Sequence, residues 1–449
     1  MLRNKNVANA SWIIGCRIIQ AVLGLVISML TARYLGPSQF GVINYAAALA
    51  AFVTPIANLG MSHVVVQEIV YSPESEGKIL GSSLLMSFTS SILCIIGVVA
   101  FSYVTNPADT ETTLVCGLYS LLLIAHAMEV IQYWYQANLI SKYTSVVSVL
   151  AYVAISVYKA ILLLTKQSVY WFAVSNAIDH TIIGIVLLII YRKKSPNRLS
   201  FSPEWAKTIF NKSKHFILSS MMVTIFAQTD KIMLKFMLGK EAIGLYSAAV
   251  TCAGVTSFVF AAIIDSMRPT ILENKKRESP AYEKNLCRLY AIIIYLALAQ
   301  SVFMTLLAKP IMLIMNGKDY AGAIVALQII VWYTTFSYVG SVRNVWILAE
   351  GKQRYLWFLN LSGALMNIVL NLLLIPLWGM EGAAVASVVT QIFTNFILGF
   401  IFKPIRQNNR LLLKGLHPGN LVSMSRSVLH KESQGHGYAA ASDPTIPPR

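Results

Sequence analysis

The chain has 449 residues, 56% of them hydrophobic and only 12% charged, with a formal net charge of +17 and a mean hydropathy of +0.62. Soluble domains carry about a quarter charged residues, so this composition excludes a water-soluble globular protein and points to a bilayer as the solvent. Nucleic-acid binding, a common reading of so basic a chain, is disfavoured because the placement of the cations gives them another role.

Apolar runs long enough to cross about 30 Å of hydrocarbon, roughly 20 helical residues each, fall near 10–32, 41–66, 79–104, 113–135, 144–165, 168–191, 213–238, 242–266, 289–308, 321–349, 355–377 and 382–402. Lipid leaves open backbone amides unpaired and no short alternating strands are present, so the expected fold is all-α and integral to the membrane, with about twelve spans. The first span exceeds a signal-peptide core and is expected to be retained. With the N-terminus in the cytoplasm, the inside segments hold 23 Lys and Arg and the outside loops hold 5. That asymmetry satisfies the positive-inside rule and puts both termini in the cytoplasm. Residues 404–449, ending "KESQGHGYAAASDPTIPPR", have no apolar period and read as a disordered cytoplasmic tail. The five cysteines show no metal-ligand spacing, and neither a metal nor a cofactor is expected.

The chain repeats itself. "LGPSQFGVINYAAA" from Leu35 and "LGKEAIGLYSAAV" from Leu238 share their glycines at an offset of 203, and "WYQANLISKY" from Trp134 and "WILAEGKQRY" from Trp346 align at 212. Together they lay span 1 on span 7 and span 4 on span 10 in the same orientation, giving two six-helix lobes, 1–200 and 201–403. A parallel repeat places the lobes about an axis along the membrane normal, around a central cleft.

Five cations sit inside spans: Arg17, Lys159, Lys231, Lys235 and Arg343. Arg17, Gln20, Gly24, Ser28 and Thr31 share one face of span 1, as Ser220, Thr224, Gln228, Lys231 and Lys235 do in span 7. The repeat offset makes these faces correspond, so they are candidates to look at each other across the cleft. Such stripes also serve as helix-packing faces, and a basic side chain near a helix end also snorkels. Lys231 and Lys235, one turn apart, repel unless an anion visits or Asp230 reaches across. Arg343 in span 10 stands beside Asn344, which the repeat matches to Gln132 in span 4; Asn344 and Gln132, with His126, Tyr133, Trp134 and Gln136, offer groups suited to sugars, and the tryptophans equally suit interfacial anchoring.

Coupling to an ion gradient needs a titratable group inside the membrane, and Glu129, Asp179 with His180, Asp230 and Asp265 are the candidates, with His63 and His126 as proton shuttles. Thr54-Pro55 breaks the amide ladder of span 2 and suits a hinge. No phosphate-cradling G-x-x-x-x-G-K-[ST] loop occurs, so direct ATP hydrolysis is not expected.

"ARYLGPSQFGVINYA", "TDKIMLKFMLGKEAIGLYSAA" and "GMEGAAVAS" resemble the bacterial Wzx-type polysaccharide flippases of the multidrug/oligosaccharidyl-lipid/polysaccharide exporter superfamily, over about residues 5–403. The resemblance implies a flippase in the bacterial inner membrane. It would move undecaprenyl-pyrophosphate-linked oligosaccharide from the cytoplasmic to the periplasmic leaflet, beside membrane lipids and other polysaccharide-assembly membrane proteins. The family has no invariant catalytic motif, so residues carry over only as cavity-lining candidates. A cation exporter of the same superfamily is disfavoured because in-span cations outnumber any carboxylate cluster. An integral membrane polymerase or glycosyltransferase is disfavoured because the extramembrane loops lack an acid/base pair.

Overall fold

The computed structural model describes residues 2–417, with side chains described at residue 15 and from residue 19 onward. Every regular element among the described residues is helical. In chain order they are α1 (Leu2–Ala57), α2 (Ser62–Tyr71), α3 (Glu76–Thr105), α4 (Thr110–Ser120), α5 (Leu122–Met128), α6 (Gln132–Ala137), α7 (Lys142–Leu164), α8 (Val169–Lys194), α9 (Pro203–Leu238) and α10 (Lys240–Ala253). They continue with α11 (Ser257–Lys276), α12 (Ala281–Leu306), α13 (Ala308–Asn316), α14 (Ile324–Ala349), α15 (Leu356–Ile392), α16 (Leu398–Ile401) and α17 (Arg406–Gly415). Among the described residues nine helical stretches are long and apolar enough to cross a membrane, or ten if α10 and α11 together make one span. The protein is an all-α, multi-pass membrane protein.

Two of those stretches exceed a single crossing. Ile19–Tyr71 has 53 residues and Gln353–Ile401 has 49, about 80 and 70 Å of helix against ~30 Å of hydrocarbon. Each is interrupted by a glycine at positive φ, Gly36 (φ 70°, ψ 170°) in α1 and Gly379 (φ 61°, ψ −137°) in α15. Gly239 has a similar backbone (φ 94°, ψ −172°) between α9 and α10, and Gly36 and Gly239 are related by the repeat offset of 203. Their neighbours are in contact: a Cβ on Gly41 would run into the Lys240 carbonyl oxygen, and one on Gly244 into the Pro37 carbonyl oxygen. Positions 37 and 240, and 41 and 244, are again related by 203.

The packing is that of a membrane protein. In α3 the buried stripe is Ser83, Ser87, Ser91, Cys94, Val98 and Ser102, while Leu85, Phe88, Ile92, Leu93 and Ile96 are exposed. Lipid is as apolar as leucine, so large side chains gain little by turning inward, and small hydroxyls let backbones approach. Ser87 Oγ donates to the Ala57 carbonyl at 3.2 Å and Ser91 Oγ to that of Leu123 at 2.9 Å.

The chain forms two compact units. One comprises Met1–Phe258, Met304–Tyr333 and Leu356–Thr390; the other begins at Val259–Phe303 and Thr334–Tyr355 and resumes at Gln391. In the first, Tyr246, Tyr320, Met312 and Leu327 centre one core cluster, and Trp134, Tyr135, Tyr191 and Ile79 another. The second contains a correction to the expected tail. Residues 406–415 are helical, with Asn408, Asn409, Leu411 and Leu412 buried, and Tyr290 Oη donates to Asn408 Oδ1 at 2.6 Å. The leucines of "NNRLLLK" supply the apolar face that keeps this segment docked. The remainder of the expected tail, from residue 418, lies outside the described residues.

Candidate functional site

A cavity of about 410 Å³ opens between the second half of α1, the start of α2 and the middle of α9. Thr54 of α1, Asn58 in the turn, Ser62 of α2, Tyr133 of α6, and Ser220, Thr224 and Gln228 of α9 give it its polar lining. Pro55 lies inside the helix and cannot donate to the Ala51 carbonyl, while Thr54 Oγ1 turns back to Ala50 O at 2.8 Å. The chain then reverses through Leu59 (φ 50°) and Gly60 (φ 60°). A Cβ on Gly60 would stand 2.9 Å from the Ile217 amide nitrogen, so only glycine lets α9 lie so close to this turn. Gln228 Oε1 is buried with no hydrogen-bond partner among the described residues, an acceptor open to a donor ligand.

Of the cavity residues expected from sequence, Thr224 and Gln228 line this space, joined by Tyr133 and by the Thr54-Pro55 break. Arg17 sits on α1, but its side chain lies outside the described residues. Gln20 and Ser28 are half-buried, and between them Gly24 packs against the Tyr152 hydroxyl, so this part of the span 1 stripe faces α7. Gln132 is half-buried beside Tyr133 and is not among the cavity residues.

Lys231 follows Gln228 and Thr224 on one face of α9, is half-buried, and makes no hydrogen bond or ion pair among the described residues. Its neighbour Asp230 is turned elsewhere. The Asp230 carboxylate accepts from Tyr246 Oη at 2.7 Å, from Asn371 Nδ2 at 2.7 Å and from Ser387 Oγ. Asn371 Nδ2 also donates to Asn367 Oδ1 at 3.0 Å, and Asn371 Oδ1 is buried with no hydrogen-bond partner among the described residues. Sequence reasoning missed this ring, although two asparagines one turn apart within an apolar span are a signal for it.

Most of the other charges inside the helices have partners. Lys235 Nζ stands 3.8 Å from Asp109 Oδ2, so it is engaged at the C-terminal end of α9. Lys159 Nζ donates to Asn176 Oδ1 at 3.0 Å. Arg343 is buried and donates through Nη1 to the Thr394 carbonyl at 2.9 Å and through Nη2 to Asn344 Oδ1 at 3.3 Å. Glu129 accepts from His126 Nδ1 at 3.1 Å and His180 Nδ1 at 2.9 Å. Asp179 Oδ1 is buried without a hydrogen-bond partner among the described residues. Trp134 is not a stacking platform: it is buried, and its indole donates to Glu76 Oε2 at 2.7 Å.

Comparison with known proteins agrees in direction. The capsular polysaccharide biosynthesis protein CapF of Staphylococcus aureus is 23% identical over 415 residues, 89% of this chain and 100% of that protein. A putative O-antigen transporter of Escherichia coli K12 is 21% identical over 393 residues, 85% of this chain and 92% of its own. Among solved structures, the lipid II flippase MurJ in an inward closed conformation superposes with a TM-score of 0.70 at 15% identity, covering 95% of this chain and 92% of MurJ. An inward-facing multidrug resistance transporter of the MATE family gives 0.60 at 15% identity, covering 88% and 96%. Residues 6–275 match the family of polysaccharide biosynthesis proteins, more than half of the chain, and the protein is a member of that family.

Proposed function

We propose that this protein is a flippase that carries an undecaprenyl-pyrophosphate-linked oligosaccharide repeat unit from the cytoplasmic to the outer leaflet of a bacterial inner membrane, with both termini in the cytoplasm. The observation that carries the reading is Lys231, a half-buried cation in electrostatic reach of Asp230 but with no hydrogen bond or ion pair among the described residues, on the same face of α9 as Thr224 and Gln228 of the cavity. A pyrophosphate bears charge that hydrocarbon rejects, and a lysine in a hydrated cleft supplies charge-assisted hydrogen bonds to its oxygens. Thr224, Gln228, Asn58 and Tyr133 suit hydroxyl-rich sugar, and the prenyl chain stays in lipid. In this reading Arg17 engages the same anion nearer the cytoplasm, while Arg343, Lys235 and Lys159 hold the framework.

The reading takes α1 and α15 as two crossings each, which brings the spans to twelve, in lobes of residues 1–200 and 201–403. The reciprocal contacts of Gly41 and Gly244 support it, since repeat-related groups that touch each other lie beside a pseudo-two-fold axis. Asp230 is the coupling group: its carboxylate, with the open Asn371 Oδ1 beside it, is an oxygen-rich set that suits a proton or a hard cation.

The test is lipid analysis of a strain lacking the gene. Undecaprenyl-pyrophosphate-linked repeat units should accumulate in the inner leaflet, and the parent gene should clear them. Lys231→Ala, at normal protein level, should slow clearance about ten- to hundred-fold, the loss of one charged contact of ~1.5–3 kcal/mol. Accumulation of single units in the outer leaflet would identify a polymerase instead, and drug sensitivity with normal polysaccharide would identify an exporter.

A further inference from the structure

His126 at the end of α5, Glu129 in the turn after it, and His180 on α8 converge on one point. His126 Nδ1 lies 3.1 Å from Glu129 Oε2 and His180 Nδ1 2.9 Å from Glu129 Oε1. The two imidazole rings are 4.3 Å apart, and one ligand atom from each residue falls within 4.8 Å of the others. We infer that these three side chains form a binding site for a divalent transition cation of the zinc, cobalt or nickel kind, in addition to the transport path and against the expectation from sequence that no metal is bound.

Tetrahedral ligands at 2.0–2.2 Å from a metal stand about 3.3 Å from one another; each imidazole nitrogen now contacts a different oxygen of Glu129, at 3.1 and 2.9 Å, so a cation would be seated by small rotations of the three side chains. The cation replaces the protons now shared between nitrogen and oxygen. Two imidazoles and one carboxylate are a borderline set that suits first-row transition ions, whereas calcium and magnesium require all-oxygen shells. Side-chain exposures of 23%, 18% and 29% leave room beside the three groups for a fourth ligand.

The surroundings fit a dication. Asp179, next to His180 and in electrostatic reach of it, has a buried Oδ1 with no hydrogen-bond partner among the described residues. With Glu129 it supplies two negative charges. The nearby cation, Lys159, also in electrostatic reach of Asp179, is hydrogen-bonded to Asn176. A bound metal would tie the turn after α5 to α8, elements that here share one side-chain hydrogen bond, from His180 to Glu129, and the packing of Gly184 against Met128.

The experiment uses the full chain, purified through a histidine-free tag, stripped with chelator and titrated with Co²⁺. The parent should show visible ligand-field bands and take up one equivalent that Zn²⁺ displaces. Glu129→Gln, which keeps the side-chain shape, and His180→Ala should each weaken that equivalent at least about tenfold, while the exposed His215→Ala leaves it intact. Zn²⁺ should raise the thermal midpoint of the parent and not of Glu129→Gln. Uptake that is absent in the parent, or equal in parent, Glu129→Gln and His180→Ala, overturns the site: the three residues then share protons only, or the metal sits on other histidines.

Discussion

At Asp109, outside the membrane-spanning helices, a helix cap and two ion pairs share one carboxylate. Oδ1 accepts from the Thr112 amide at 3.1 Å and Oδ2 from the Thr112 hydroxyl at 2.7 Å, which caps α4, and Lys235 and Lys240 stand 3.8 and 3.7 Å from Oδ2. Burial pushes this carboxyl up, but the Thr112 hydrogen bonds and the two lysines outweigh it and hold the group below its ordinary 3.8. A depressed carboxylate contributes stability above its unfolded value and loses it as pH falls from there through the folded value. Asp109→Ala should therefore lower stability in detergent by about 1 kcal/mol at neutral pH, most of it the cap. Asp109→Asn should cost less because it still caps, and the parent and Ala variants should converge as pH drops below 3.8. A difference that persists unchanged in acid would mean that packing, not charge and capping, is lost. Lys235 could not be placed correctly from sequence for the same reason: its partner is 126 residues upstream, and a stripe of residues on one helix says nothing about what stands opposite. Lys231 and Asp230 carry the same lesson, because adjacent charges on α9 turn to different surroundings.

Elements were legible wherever the cause is local. Runs of apolar residues marked the helices, and "LGPSQFG" marked the break in α1, where Gly36 takes a positive φ and Pro37 restarts the helix with no amide to leave unpaired. The helix at 406–415 was hidden because a short amphipathic segment among Asn, Arg and Lys looks solvated until the buried partners of Asn408 and Asn409 are known. The repeat was also local in origin, but its consequence, backbone contact between its two copies, needed coordinates. Gly41→Ala or Gly244→Ala forces a methyl group into a carbonyl oxygen of the other copy, and overpacking of this kind costs ~1–3 kcal/mol. Gly97 provides the contrast: it lies within α3, and a Cβ there meets nothing within 4 Å. Gly97→Ala should leave the thermal midpoint unchanged or raise it by up to the equivalent of ~1 kcal/mol of helix propensity. If Gly41→Ala and Gly97→Ala behave alike in thermal unfolding, the close approach of α1 and α10 is not a feature of the folded protein.

For the whole molecule, the direction of every span follows from the number of crossings in α1 and α15. If each crosses twice, Gly36, Gly239, Gly317 and Gly379 all fall on the outer side, and all four are at positive φ. Four of the six outer turns then carry such a glycine, where the chain reverses without a Cβ in the way, whereas Gly60 and Gly351, also at positive φ, lie toward the inner side. Trp378, 56% exposed, then sits at the outer interface, where indole rings anchor. The basic segments 192–214 and 268–288 fall inside, as the charge asymmetry requires. Single cysteines in a cysteine-free background separate the possibilities. Ser38→Cys and Glu381→Cys should react with a membrane-impermeant maleimide added outside intact cells or spheroplasts, because twelve crossings put both positions in outer turns. Arg198→Cys and Gln353→Cys should react only after the membrane is opened. Were α1 and α15 single crossings, residues 38 and 381 would lie deep in hydrocarbon and stay unlabelled on either side, and the lobes would no longer be related as a parallel repeat. Labelling of Arg198→Cys from outside would invert the molecule, turn its most basic segments against the positive-inside rule, and remove the orientation on which cytoplasm-to-outside transport depends.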